Sequence, residues 1–361
     1  MCYNVCMLSV NQLKTQVPIG PHQTALIQWR LLPQETSSAE NFAAAVSKRA
    51  EDACGKGPVK LLVFPELSGL WLLLDKLFSA PARQYSSTRA SAFALLPQLF
   101  PQLLRNPGIG VKLLTRRGGR ALTNKGWKQH LNEWLSPFCE MARAHNVYIC
   151  PGSTLLPLFQ SGPRGQLQLI NSRPANTTCL IAPSGKVLGY RRKISLTKVE
   201  RNLGLLAGTV ERETLPFQTE LGTIGIAVCL DGFYADIVAR LDMQGCEFIL
   251  QPSANSVDWN AQLTREKHKK VLQSTEWLSC GIGAQIQGRE NIVAAYNPMC
   301  VTPGPFFSNS GKSTMWVNLR RVTLDSLPTS DKTDGSDNYP GLIKSAENEY
   351  QEEILYAQLP R

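Results

Sequence analysis

The chain has 361 residues, 43% of them hydrophobic, and a formal net charge of +10 at pH 7. This length and hydrophobic content can close a large buried core, so we expect a globular protein. No apolar run approaches the length that crosses a bilayer and the first residues lack a signal pattern, which argues against a membrane-spanning or secreted protein and favours the cytoplasm.

The expected secondary structure alternates between strands and helices. Short apolar runs bounded by Gly, Pro or Asn predict strands at 24–29, 59–64, 147–152, 178–182, 222–229, 247–251, 291–297 and 354–359. Apolar residues three and four apart predict helices at 38–53, 131–145 and 235–244, and Ser38 caps the first of them. Helices follow most strands, which indicates an α/β fold.

Two segments interrupt this alternation. Residues 79–128 hold four prolines, and ten Lys or Arg but no Asp or Glu lie between Lys76 and Asn132. We interpret 79–128 as a basic insertion. Residues 324–341 are polar and turn-rich and predict a loop before the last strand. Together with these two segments, residues 1–361 are interpreted as a single domain.

Three places combine a reactive side chain with a strand end or the loop beyond it. Glu66 follows the strand at 59–64, Lys193 precedes Glu200 by seven residues, and Cys229 ends a buried apolar run. Taken singly, these residues also fit a solvated strand end, a surface lysine and a core thiol. Their joint occurrence indicates a site, because loops converge at strand ends in α/β proteins.

The order Glu, then Lys, then Cys resembles the nitrilase superfamily, whose members use that triad in that order. Further similar segments are 25–28, 147–153, 178–193, Glu200 with Arg201, 289–297 and 353–359. The resemblance covers nearly the whole chain, apart from the basic insertion and the loop near residue 330. It implies a four-layer α-β-β-α sandwich of two stacked mixed sheets and a homodimer or larger homo-oligomer.

The resemblance also implies a role for each of these residues in hydrolysis. Cys229 is expected to attack a carbonyl or nitrile carbon, with Glu66 as its base and later as the acid that protonates the departing amine. Lys193 and the backbone N–H of Leu230 are expected to stabilise the developing negative charge. Glu200 is expected to hold Lys193 or the substrate in position.

The segment after the nucleophile departs from the family. Many amidase members continue with an aromatic residue, an acid and Phe-Pro-Glu, whereas this chain keeps the acid at Asp231 and an aromatic residue at Phe233 but lacks the Pro-Glu pair. A small linear amide or N-carbamoyl compound is the first expectation for the substrate. A small nitrile is the alternative, although nitrilases carry Trp-Glu where this chain has Leu-Asp. Substrate contacts are expected from Leu230, Phe233, Asn255 and Trp259.

Other site chemistries have less support in the sequence. None of the four histidines (His22, His130, His145 and His268) follows an apolar strand end, so a papain-like Cys-His pair is unsupported. The segment from Ser308 to Ser313 imitates a phosphate-binding loop without its first glycine. The ten cysteines have irregular spacings without a CxxC pair, and no cluster has metal-ligand spacing, so we expect free thiols and neither metal nor other cofactor.

The basic insertion raises a question of partners. Residues 91–104 are apolar, and basic residues follow them. An apolar segment with a basic flank could bind an anionic membrane surface through residues 83–120, or it could cover the mouth of the active site. A loop packed on its own domain or on a second copy is equally open. Nucleic acid is disfavoured because few aromatic residues lie among the charges. A catalytically silent binding protein is the alternative to the enzyme.

Overall fold

The computed structural model describes residues 22–73, 124–161, 167–264, 270–302, 308–323, 327 and 338–359. The first sheet contains β1 (His22–Gln28), β2 (Val59–Val63), β3 (Tyr148–Cys150), β4 (Ser153–Ser161), β5 (Leu167–Ile181), β6 (Val187–Arg192) and β17 (Glu353–Leu359). Its strand order is β17-β1-β2-β3-β5-β4, and β6 pairs with β5. Parallel pairing joins β1, β2 and β3, and the remaining pairs are antiparallel.

The second sheet contains β7 (Phe217–Thr219), β8 (Gly222–Ile226), β9 (Phe248–Leu250), β13 (Ala294–Asn297), β15 (Thr314–Val317) and β16 (Leu342–Ser345). Its strand order is β16-β15-β13-β9-β8-β7. Two short pairs complete the strands: β10 (Ser253–Ala254) with β14 (Met299–Cys300), and β11 (Gln262–Thr264) with β12 (Lys270–Leu272).

Seven α-helices begin and end within the described ranges: α1 (Ala39–Cys54), α2 (Asn124–His145), α3 (Lys198–Asn202), α4 (Val210–Glu213), α5 (Ala235–Met243), α6 (Gln273–Cys280) and α7 (Ile282–Gln285). Ser38 caps α1 as predicted, because its hydroxyl accepts the N–H of Asn41 at 3.1 Å. None of the helices within the described ranges is long and apolar enough to cross a membrane.

Alternating side chains on the strands build the layers. Leu26 of β1 packs in the core between the two sheets, while its neighbours Ala25 and Ile27 face α1 and α2. On the second sheet, Ile249 packs outward against α5 and α7, and its neighbour Leu250 belongs to the core between the sheets. The predicted four-layer α-β-β-α sandwich of two stacked mixed sheets is therefore confirmed.

The structure corrects several predicted boundaries. The helix predicted at 131–145 extends back to Asn124, and the strand predicted at 178–182 begins at Leu167. Strand β4 was missed because Pro157 interrupts its apolar pattern, and β4 tolerates this proline because it lies at the edge of its sheet. The strand predicted at 222–229 ends at Ile226.

Most of the basic insertion and of the polar loop lies outside the described residues. Of the insertion at 79–128, positions 124–128 are described, and they form the first turn of α2. Of the loop at 324–341, positions 327 and 338–341 are described. The single-domain interpretation, the homo-oligomer and membrane contact through 83–120 stay predictions.

Candidate active site

Cys229 lies in a tight turn between β8 of the second sheet and α5. Strand β8 ends at Ile226, and Cys229 begins a 3-10 helix that runs to Phe233. Its backbone is left-handed, with φ of 49°, which costs a non-glycine residue about 1–2 kcal/mol. The conformation is held by two hydrogen bonds: the Cys229 N–H donates to Pro252 at 2.9 Å, and the Cys229 carbonyl accepts Gln251 Nε2 at 2.7 Å.

Glu66 leaves the end of β2 on a second strained turn. The next residue, Leu67, has φ of 62°, and its N–H donates to Ser153 Oγ at 3.0 Å. Ser68 Oγ donates to the carbonyl of Pro151 at 2.6 Å. The turn that carries Glu66 is therefore tied to the loop between β3 and β4.

Gly152 allows the turn at Glu66 to pack closely against the loop between β3 and β4, and a substitution at Gly152 tests this packing. It has φ of 77°, and a Cβ there would lie 1.9 Å from the Pro65 carbonyl oxygen. Gly152→Ala should therefore lower the free energy of unfolding by clearly more than the 1–2 kcal/mol or so of left-handed strain. Gly245→Ala is the matched control, because Gly245 has φ of 75° with nothing within 4 Å. Equal losses in urea unfolding of the two variants would contradict the close packing of the Glu66 turn.

Lys193 and Glu200 come from the loop after β6 and the start of α3. Lys193 Nζ lies 2.9 Å from Glu66 Oε1 and 3.1 Å from both oxygens of Glu200. Asn176 of β5 donates its side-chain amide to Glu66 at 2.8 Å and to Glu200 at 3.0 Å. Thr197 caps α3 by accepting the N–H of Glu200, whose carboxylate accepts the Thr197 N–H in return. One ammonium is thus held between two carboxylates.

The backbone of Ala254 links the thiol to this cluster. Its N–H donates to Glu66 Oε2 at 2.9 Å, and its carbonyl lies 3.8 Å from Cys229 Sγ. The side chains of Glu66 and Cys229 therefore meet at one short strand, β10. Glu66, Lys193 and Cys229 are all buried, with exposed fractions of 2%, 2% and 6%.

Burial and charge set the protonation of the site. Burial raises the pKa of Glu66, and the attraction of Lys193 offsets only part of that shift. Burial and repulsion from Glu66 raise the pKa of Cys229, against the attraction of Lys193. Burial alone would lower the pKa of Lys193, but Glu66, Cys229 and Glu200 together hold it well above its usual value. Burial likewise opposes ionisation of Glu200, yet Lys193 keeps the pKa of Glu200 below normal.

These pKa shifts keep the Cys229 thiol protonated and the Lys193 amine charged, and they make Glu66 a stronger base than an exposed glutamate. A protonated thiol needs a base at the moment it attacks, and Glu66 is the carboxylate beside it. The ammonium lies where it can stabilise negative charge that develops close to the thiol.

The four expected substrate contacts lie in different surroundings. Leu230 is half-buried and follows Cys229 at the start of the 3-10 helix, where the first N–H groups have no partner within the helix. The Phe233 ring packs edge-on to Trp277 with centroids 4.9 Å apart, and Trp259 lies 6.1 Å from Trp277. Asn255 donates to the carbonyls of Val257 and Ser310. Its amide thus holds the surrounding loop together.

Sequence reasoning missed Asn176 as a part of the site, placed Gln251 in a segment that lines the pocket without singling it out, and noted Asp231 only as an acid that the family keeps. Both amides are 0% exposed, and each contacts a residue that the sequence had singled out. The available signal was an uncharged polar side chain inside or directly after an otherwise apolar strand. Across the described ranges, no group of three or more His, Cys, Asp or Glu is arranged to hold a metal ion.

Comparisons with known proteins find relatives by sequence and by fold. A family model for carbon-nitrogen hydrolases matches residues 23–278. Deaminated glutathione amidase from Mus musculus is 25% identical over 180 residues, which are 47% of this chain and 49% of that protein. The chain thus matches about half the length of this curated relative.

Solved structures of an amidase from Nesterenkonia sp. AN1, a member of the nitrilase superfamily, share the fold. One superposes with a TM-score of 0.54 at 15% identity and covers 94% of this chain and 93% of that one. A mutant in complex with butyramide gives 0.54 at 14% identity, covering 94% and 92%. A mutant with the acetamide moiety of fluoroacetamide added at its active-site cysteine gives 0.55 at 16%, covering 96% and 93%.

Proposed function

Because the chain belongs to the carbon-nitrogen hydrolase family, we propose that it is a cysteine-dependent hydrolase of a small linear amide or N-carbamoyl compound. The bond it cleaves is a non-peptide carbon-nitrogen bond, through a thioester on Cys229. One observation carries the proposal: the backbone of Ala254 contacts the Glu66 carboxylate through its N–H and the Cys229 thiol through its carbonyl, and Glu66 is itself paired with the Lys193 ammonium.

Thioester formation follows from these positions. Glu66 takes the thiol proton while Cys229 Sγ bonds to the carbonyl carbon of the amide. The carbonyl electron pair moves to oxygen, where the Lys193 ammonium and the N–H of Leu230 stabilise the negative charge. The oxygen then re-forms its double bond and the carbon-nitrogen bond breaks. The proton held by Glu66 passes to the departing nitrogen, which leaves as ammonia or an amine.

Hydrolysis of the thioester uses the same groups. Glu66, now ionised again, takes a proton from a water molecule that attacks the thioester carbon. The carbon-sulfur bond breaks, the acid product leaves, and the thiol regains its proton. Glu200 keeps Lys193 aligned in both steps through its 3.1 Å contact. Two carboxylates around one ammonium also keep the buried net charge small.

The direct test measures ammonia release across a panel of short amides, N-carbamoyl amines and nitriles. The Nesterenkonia amidase was solved with butyramide, which makes butyramide a suitable first compound. Intact mass after incubation should show an acyl adduct on Cys229 with the best substrate. Turnover limited to nitriles would favour the nitrilase alternative. Neither adduct nor turnover with any compound would favour a silent binding protein.

The pH dependence of the reaction should depend on Glu200. The Glu66 base must be ionised, so kcat/KM should fall as the pH drops through the raised pKa of Glu66, above its usual value near 4.5. The charge of Glu200 contributes to that raised pKa. Glu200→Gln should therefore shift the acidic limb of the pH profile to lower pH, besides reducing activity.

The control for this shift is Glu35→Gln. Glu35 is also a carboxylate paired with a buried cation, since it lies 2.8 Å from Arg49, but it belongs to the 3-10 helix Pro33–Thr36 before α1, and its other hydrogen bonds are to Trp29 and Leu32. Its substitution should leave the acidic limb in place. A limb that stays or moves to higher pH in Glu200→Gln would contradict Glu66 as the base.

A further inference from the structure

Asp231 is a buried carboxylate that binds backbone N–H groups from two separate loops. It is 2% exposed. It accepts the N–H of Ser195 at 2.6 Å, that of Ile194 at 3.1 and 3.2 Å with its two oxygens, and that of Val228 at 3.3 Å. These partners give the side chain a structural task that the mechanism above does not use.

The positions of its partners are informative. Ile194 and Ser195 follow Lys193 directly, and Val228 precedes Cys229. Strand β6, which leads to Lys193, belongs to the first sheet, whereas β8, which leads to Cys229, belongs to the second. A single carboxylate therefore bridges the two sheets between the ammonium and the thiol.

A carboxylate suits this bridge for its geometry and not for its charge. Its two oxygens accept about four hydrogen bonds, whereas an asparagine would turn an NH₂ group toward one of these N–H donors. The site already holds two carboxylates and one ammonium. A further negative charge by itself disfavours the Cys229 thiolate.

Resting on the proposed function, we infer that Asp231 is a positioning residue that fixes the Lys193 ammonium and the N–H of Leu230 relative to the Cys229 thiol. It does not touch the substrate. It joins the residues next to each of these groups, so its loss lets the two sides of the oxyanion site drift apart.

The test is the alkylation rate of Cys229 by iodoacetamide in Asp231→Asn, read by mass spectrometry of the Cys229 peptide. Burial raises the pKa of Asp231 to about 7, and the Ser195 and Ile194 N–H groups oppose this shift, so the measurement is made at pH 8, where the carboxylate is ionised. We expect alkylation at least about tenfold slower, since misplacement by 1 Å can cost about 100-fold.

Two competing explanations predict different changes in the alkylation rate. Removing a negative charge would by itself favour the thiolate, so faster alkylation would mean a direct electrostatic role and would overturn the inference. An unchanged rate would mean a purely structural role and would overturn it as well. With an amide that the wild type hydrolyses, kcat should fall while KM changes little. If Asp231→Asn does not fold, Asp231→Glu replaces it: slower alkylation supports the inference and an unchanged rate overturns it.

Asp242→Asn is the matched control. Asp242 is 7% exposed and accepts the backbone N–H groups of Glu290, Asn291 and Ile292 at 3.2, 2.7 and 3.1 Å. Asp242 thus connects α5 to the segment before β13 by the same kind of hydrogen bonds, away from the site. Its substitution should lower stability without slowing alkylation of Cys229. Equal slowing in both variants would overturn the inference.

Cys246 separates this inference from the proposed function. Cys246 is buried like Cys229, with exposed fractions of 0% and 6%, and burial raises the pKa of both thiols. If Cys229 of the wild type reacts no faster than Cys246, the proposed function fails. If Cys229 is selectively reactive but Asp231→Asn matches the wild type, only the positioning role fails.

Discussion

Replacing Cys229 by alanine should lower kcat for the best substrate by about 10⁴- to 10⁶-fold, the range seen when a hydrolase loses its nucleophile. The change removes the only atom that can carry the acyl group in the proposed reaction. The backbone bonds of Cys229 to Pro252 and Gln251 do not involve its side chain, so the turn should persist. Ammonia release gives the rate, and intact mass should show that the acyl adduct is gone.

Cys246→Ala is the control for this substitution. Cys246 is fully buried and its thiol contacts the carbonyl of Phe248 at 3.2 Å, at the end of β9 opposite to Gln251. Its loss should reduce stability and leave kcat per folded molecule unchanged. A Cys229→Ala variant that keeps more than a few per cent of the wild-type kcat would exclude Cys229 as the nucleophile.

Replacing Lys193 by methionine should lower both activity and stability. The ammonium is 2% exposed and lies within 3.1 Å of Glu66 and Glu200, so its removal leaves two buried carboxylates without a counter-charge. Breaking a buried ion pair in this way costs about 3–5 kcal/mol. Losing one group that stabilises an oxyanion costs about 10²–10³ in kcat. Urea unfolding and ammonia release measure the two effects.

The loss of stability in Lys193→Met should grow with pH. Without the ammonium, the pKa of Glu66 in the folded state rises further above its unfolded value, and the pKa of Glu200, which Lys193 holds below normal, rises as well. At pH values between the unfolded-state and folded-state pKa values of these carboxylates, the folded state binds more protons than the unfolded state. The free energy of unfolding therefore falls as the pH rises through this range. Unfolding at pH 5 should therefore show a smaller loss than at pH 8.

Two further variants test whether the loss of stability in Lys193→Met comes from the unpaired carboxylates. Adding Glu66→Gln to Lys193→Met removes one unpaired charge and should recover part of the stability but none of the activity. Lys312→Met, at a lysine that donates to the Glu347 carbonyl near the surface, should change stability by about 0.5 kcal/mol or less. A Lys193→Met loss as small as that of Lys312→Met would contradict the ion-pair cluster.

Much of the fold followed from local pattern. Strand β2 begins at Val59 as predicted, and α1 begins after the Ser38 cap, because burial on both sheet faces and a capping hydroxyl leave direct traces in the residue order. Strand β4 and the first half of β5 left no such trace. Pro157 of β4 pairs with Pro174 of β5, and these two prolines interrupt the apolar pattern on which strand prediction depends.

The residue types of the site were also visible in the sequence. Glu66, Lys193, Glu200 and Cys229 each follow a strand or the loop after it, and their chemistry required a base, a cation and a nucleophile. The distances among them could not be read from the sequence. Glu66 and Lys193 lie 127 positions apart, and the ammonium and the thiol enter from different sheets.

Residue order therefore predicted the α/β class, most of the long strands and helices and the reactive groups, because periodicity, caps and side-chain chemistry are local properties. The packing of the folded chain was needed to show that Asn176 bridges the two carboxylates, that the backbone of Ala254 joins Glu66 to the thiol, and that Asp231 connects the two sheets. The Asn176 contacts depend on how β2, β5 and the loop after β6 come together, and the contacts of Ala254 and Asp231 depend on how the two sheets stack and on the left-handed turn at Cys229; no local pattern encodes these arrangements.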